Sequence, residues 1–83
     1  MSEAVAQRVV KDVTELLKKR RETLGWSQRT LAGLAGVDPK TVSLIERGVR
    51  SPTLFTISLL ASAMDCALWE LLKDAERAKE TKA

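Results

Sequence analysis

The sequence predicts an all-α domain of five helices, on three observations. Apolar residues recur at intervals of three and four along most of the 83-residue chain, Ser, Thr or Asp precedes several of these stretches, and Gly25, Gly36 and Gly48 each stand just behind one. These are the face, start and stop signals of helices packed into a bundle.

The first helix is expected from about residue 4 to Leu24, with Val5, Val9, Val13, Leu16, Leu17 and Leu24 at helical spacing and Gly25 as its stop. Glu15 and Lys19 form an i,i+4 pair of favourable orientation. The run Lys18–Arg21 fans around the helix instead of forming one patch, and its cations favour the helix C-terminus. Ser27 is a good N-cap for a second helix through about Ala35, and Trp26 before it can staple onto Leu31. Gly36 ends that helix. Only one residue later Asp38 can cap a third, with Pro39 at its first position, Val37 against Val42, and Gly48 at its close. Residues 28–47 thus form two short helices around a very tight junction.

The stretch TLFTISLLASAM is apolar nearly all round, through Leu54, Phe55, Ile57, Leu59, Leu60, Ala61 and Met64, and predicts a central, mostly buried fourth helix. Either Ser51 or Thr53 would cap it. The fifth helix is expected over about Leu68–Lys79, with Leu68, Leu71, Leu72 and Ala75 on one face and Trp69 beside them. Ala67 stands where a capping side chain normally would, and the tail from residue 80 is expected to fray.

The length supports a single domain, residues 1–83, near the lower limit for an independent core, so a second subunit would help. No apolar run is long enough to span a bilayer and the N-terminus lacks the order of a signal peptide, so a cytoplasmic protein is expected. The single cysteine, Cys66, cannot form an internal disulfide, and with no histidine the common metal clusters and His-dependent triads have no parts. No metal or cofactor is expected, and no enzyme. The net charge of +3 is uneven: residues 1–26 carry six Lys/Arg and four Asp/Glu, residues 27–52 four and two, residues 53–83 four and five. All the excess cations precede residue 53, which suits a polyanionic partner; a merely basic, solvated surface fits charge alone equally well.

The third helix is the informative one. Val42 and Ile45, with Val37 ahead of them, are placed to enter the core, while Lys40, Thr41, Ser43 and Arg47 occupy the opposite faces. A helix held on its back by a short preceding helix, with a hydrogen-bonding front, suits insertion into the major groove of DNA.

The stretch RETLGWSQRTLAGLAGVDPKTVSLIERGVRSP resembles the helix-turn-helix of the phage repressor and Cro family, also called Xre, which includes the small controller proteins of restriction–modification systems. The resemblance runs from Arg21 to about Leu72 and rests on Ser27–Gln28, Leu31, Ala32 four residues before Gly36, Val37, Val42, Ile45, Glu46, Gly48 and Pro52. It implies a lambda repressor-like fold, a close contact of the two helices at Ala32, and a positive φ at Gly36.

Carried over by position, it also implies site roles. Gln28, with Arg29 beside it, falls where a phosphate contact sets register; Lys40, Thr41 and Ser43 look into the major groove; Leu44 is placed to touch a thymine methyl; Arg47 and Arg50 meet phosphates or the neighbouring minor groove. Pro39 departs from the pattern, since it has no side-chain donor where relatives often read a base, and Asp38 brings a negative charge unless its cap bonds occupy it. Arg21 and Glu46 stand where relatives form a partly buried ion pair. Buried, truncation of Glu46 would cost on the order of 3 kcal/mol; exposed, the pair would contribute under about 1 kcal/mol. Asp65 takes the left-handed position after the fourth helix where relatives favour Gly.

Leu68, Trp69 and Leu72 make a stripe wider than one small bundle covers, so a symmetric dimer contact through the last helix is favoured over simple burial. Val5, Val9 and Val10 extend the first helix toward a partner subunit, and Ser58 and Ser62 permit close helix approach. The function expected is a homodimeric, sequence-specific regulator binding double-stranded DNA at an inverted-repeat operator, autoregulatory in the manner of a controller or repressor, with RNA polymerase as a further partner. The alternative is an antitoxin or adaptor that binds a toxin or other protein and uses the helix-turn-helix as scaffold.

Overall fold

Four of the five helices begin where a side-chain oxygen accepts a first-turn amide. In the computed structural model, which describes residues 2–81 and the side chains of residues 2–77, the helices are α1 (Glu3–Thr23), α2 (Gln28–Ala35), α3 (Pro39–Glu46), α4 (Leu54–Ala63) and α5 (Leu68–Thr81). Ser2 Oγ accepts from Val5 N–H at 3.2 Å, Ser27 Oγ from Thr30 N–H at 3.0 Å, Asp38 Oδ1 from Lys40 N–H at 2.8 Å and Thr53 Oγ1 from Thr56 N–H at 3.1 Å. Such a cap contributes about 1 kcal/mol. Thr53, not Ser51, therefore caps α4. At α5 only the Ala67 carbonyl serves, accepting from Glu70 and Leu71 N–H at 3.1 and 3.4 Å. The last helix runs through Thr81; residues 82 and 83 of the tail lie outside the described residues.

The stops are equally local. Gly36 has φ +76° and closes α2 with its N–H on the Ala32 carbonyl. A Cβ built there would meet nothing within 4 Å, so the left-handed backbone alone, not lack of space, selects glycine. Asp65 takes φ +52° after α4, and the next amide, Cys66 N–H, donates 2.9 Å to the Ala61 carbonyl. On α1 the i,i+4 ion pair that forms is Arg8–Asp12 at 3.9 Å, in place of the expected Glu15–Lys19.

One core joins the five helices, built from Val13 and Leu17 of α1, Leu31, Ala32 and Ala35 of α2, Val42 and Ile45 of α3, Ile57, Leu60, Ala61 and Met64 around α4, and Leu71 and Ala75 of α5. Ala32 is fully buried on α2, which packs against α3 and α4, so a larger side chain there would force packed helices apart. Trp26, Val37 and Val9 pack half-buried against this core.

The structure corrects the expectation that α4 is mostly buried. Only Ile57, Leu60 and Ala61 of that helix are buried, while Leu54 and Phe55 are 65% and 73% exposed. The helix packs against α2 and α5, and the side chains of its first turn stay open. On α5, Leu68 and Leu72 sit half-buried against the core and Trp69 remains 64% exposed, with the Lys73 ammonium 5.7 Å from its ring centroid. Among the described residues, no single helix is long and apolar enough to cross a membrane.

Candidate nucleic-acid interface

The eight residues of α3 divide into a back and a front. Val42 and Ile45 are 1% and 2% exposed, and Glu46 lies beside them on the inward side. At 100° per residue the opposite stripe is Lys40, Ser43, Leu44 and Arg47, spaced i, i+3, i+4, i+7. Lys40 and Arg47 are exposed and Ser43 and Leu44 half-buried. Thr41, expected on the front, stands on the flank and is half-buried. The front is therefore two cations at the ends with a hydroxyl and a methyl-bearing side chain between them.

The back of α3 is also held by charge. Arg21 of α1 donates from Nε to Glu46 Oε2 at 2.7 Å and from Nη2 to Oε1 at 2.9 Å, a bidentate pair, and its Nη1 donates to the Trp26 carbonyl at 2.7 Å. Both side chains are at most one-tenth exposed. The hydrogen bonds to Glu46 raise the Arg21 guanidinium above its ordinary value, against the opposing effect of burial, so it stays charged. A planar guanidinium aligned on a carboxylate at two points fixes direction as well as distance. The pair thereby sets how the C-terminal end of α3 meets α1.

Gln28 departs from its expected place. Its Nε2 donates to Glu46 Oε1 at 2.9 Å, so the amide expected at a phosphate is tied to the ion pair. The signal lay in the spacing: Gln28, Leu31, Ala32 and Ala35 share one helical stripe, and the last three are buried. Arg20 was also missed. Its Nη2 and Nε donate to the Met64 carbonyl at 3.1 and 3.3 Å, capping the end of α4. Only the fold brings residues 20 and 64 together, so nothing local in the sequence marked that contact.

The remaining cations around the front are unspent on the fold. Arg29, Arg47 and Arg50 are exposed, as is Lys40. Of the acidic residues in the same region, Glu46 is taken by Arg21 and Gln28, and Asp38 by the amide of Lys40. The Asp38 charge is thus occupied at the helix start, where it complements the macrodipole. Val49, 67% exposed, follows the helix beside Arg50. Cys66 is half-buried, and burial pushes its thiol up.

A tightly joined helix pair whose second helix has a polar front ending in two cations defines a helix-turn-helix protein, and the helix-turn-helix family profile matches residues 17–71. The chain belongs to that family, in its Xre-like class of DNA-binding regulators. Among solved structures it is similar to the restriction–modification controller protein C.AhdI from Aeromonas hydrophila, at 41% identity and TM-score 0.68 over 76% of this chain and 94% of that one. It is also similar to the wild-type restriction–modification controller protein C.Esp1396I, at 26% identity and TM-score 0.72 over 81% and 90% of the two chains. Among curated proteins nothing matches significantly.

Proposed function

We propose that this protein is a sequence-specific, homodimeric regulator of transcription that binds an inverted repeat in double-stranded DNA, autoregulatory like a controller or repressor. The observation that carries the reading is the front of α3: Lys40, Ser43, Leu44 and Arg47 on one stripe with its charged ends exposed, and Val42, Ile45 and the Arg21–Glu46 pair fixing the helix from behind. Major-groove edges offer acceptors to Lys40 and thymine methyls to Leu44, and Arg47 and Arg50 suit the flanking phosphates. Ser27 Oγ and the Ser27 carbonyl take the amides of Thr30 and Leu31, leaving the first amides of α2, at Gln28 and Arg29, to an anion. Two such units on a symmetric dimer would read half-sites about 34 Å apart.

The dimer is supported by apolar surface that one copy leaves uncovered. Trp69 on α5 and Leu54 and Phe55 on α4 are each more than three-fifths exposed. Of the three α5 residues expected at the contact, Trp69 is the open one, with Leu68 and Leu72 at its edge. The same surface suits a protein partner such as a toxin, which makes the two readings separable by experiment.

Gel shifts with the DNA upstream of the protein's own gene, at 50 and 200 mM salt, test the proposal. A DNA reader loses affinity steeply between these conditions, by about 10³-fold or more if six phosphates are neutralised. Salt-insensitive or sequence-indifferent binding would refute it. Tight binding of a neighbouring toxin without retention of any duplex would support the scaffold reading instead.

A further inference from the structure

Gln28 and Glu46 are the first residue of α2 and the last residue of α3, the two ends of the helix pair that lie farthest along the chain from the turn at residues 36–38. Between them runs a 2.9 Å hydrogen bond onto a carboxylate that Arg21 already holds at two points. The pair is therefore joined twice, by the backbone turn at Gly36 and by a side-chain clasp at the open end. Glu46 is less than a tenth exposed and acceptor-only when ionised, so the amide of Gln28 can only present nitrogen to it.

We infer that Gln28 is a positioning residue for base recognition, acting through Glu46 by fixing the angle between α2 and α3. This rests on the DNA-reading proposal above. The start of α2 carries the phosphate-facing amides and the front of α3 carries the base-facing side chains, so the angle between the helices sets whether both engage at once. Opening the clasp leaves every cation of the interface in place. It changes register, to which base contacts are sensitive within about half an ångström, far more than it changes phosphate attraction.

The test uses duplexes selected from a random pool by the wild-type protein, compared with an unrelated duplex of equal length. Gln28→Met keeps side-chain length and removes the donor. It is expected to weaken binding to the selected duplex about tenfold more than binding to the unrelated duplex. Gln28→Lys restores a donor to Glu46 and should recover most of the ratio between the two duplexes. Equal losses on both duplexes would make Gln28 a phosphate contact only and overturn the inference; so would no loss on either. If the wild-type protein enriches no duplex, it is the DNA-reading proposal that fails.

A second measurement needs no variant. Gln7 and Gln28 are the chain's only glutamines and it has no asparagine, so its NMR spectrum holds two side-chain amide groups. Gln7 is exposed. One Gln28 amide proton should exchange more slowly than those of Gln7, and equally fast exchange would exclude the clasp.

Discussion

Arg20 of α1 and Met64 at the end of α4 are 44 residues apart in sequence and joined by two hydrogen bonds, from Nη2 and Nε of the guanidinium to one carbonyl. The same Nη2 lies 3.5 Å from the Asp65 carbonyl. Its neighbour Arg21 reaches in another direction, to Glu46. Two adjacent arginines on α1 thus anchor the ends of two other helices, α4 and α3.

Arg20→Ala should therefore destabilise the fold where Lys18→Ala does not. The cation at the C-terminus of α4 complements the negative end of its dipole and takes up an orphan carbonyl, worth about 1 kcal/mol for so exposed a group. Lys18 is exposed and should matter by less than about 0.5 kcal/mol. Urea unfolding midpoints of the two variants check this. Equal midpoints would mean the contact contributes nothing in solution.

Glu46→Ala should cost more, on the order of 3 kcal/mol, because it leaves the buried Arg21 guanidinium with only the Trp26 carbonyl as partner. Replacing both partners, as Arg21→Met with Glu46→Leu, should recover much of that loss, since no charge is then stranded. The coupling in a double-mutant cycle, followed by thermal unfolding, distinguishes a buried pair from two surface charges; a coupling below about 0.5 kcal/mol would show the latter.

The limits of the helices were legible because caps and stops are local: Ser27, Asp38 and Gly36 act on residues within a turn of themselves. The inward side of α3 was legible for the same reason, as Val42 and Ile45 are one turn apart. Features that depend on distant parts of the chain were not. The exposure of Leu54 and Phe55 depends on which neighbours α4 finds, and an apolar sequence cannot say whether its second face is covered by the same chain. The role of Gln28 was hidden by its polarity: its stripe with Leu31 and Ala35 pointed inward, but a polar residue at a helix start reads as a surface contact until a buried acceptor such as Glu46 is seen.

Asp65→Gly should stabilise the protein. Asp65 holds φ +52°, a region that costs most residues about 1–2 kcal/mol and Asp somewhat less. Its side chain is exposed, and the backbone carries the turn through Cys66 N–H on the Ala61 carbonyl. Relief of about 0.5–1 kcal/mol should raise the melting temperature by roughly 2–8 °C in a domain of this size. A lower melting temperature would show that the carboxylate makes a contribution the backbone does not.

Lys40 and Arg47 end the same stripe of α3, yet removing them should have different consequences. Lys40 stands at the N-terminal end of α3, which under the proposed DNA reading is where side chains meet base edges, and its neighbour Pro39 offers no donor of its own. Arg47 follows the last helical residue and lies beside Gly48, Val49 and Arg50, where the chain leaves the helix through the positive φ of Gly48. Lys40→Ala should then relax discrimination at one base position by about 1–3 kcal/mol, while Arg47→Ala weakens all duplexes alike and lowers the slope of log affinity against log salt by about 1. Titrations of both variants against a selected and an unrelated duplex at several salt concentrations measure the difference. Equal losses for Lys40→Ala on both duplexes would reassign it to the phosphates and move base reading to Ser43 and Leu44, the two half-buried residues between the charged ends.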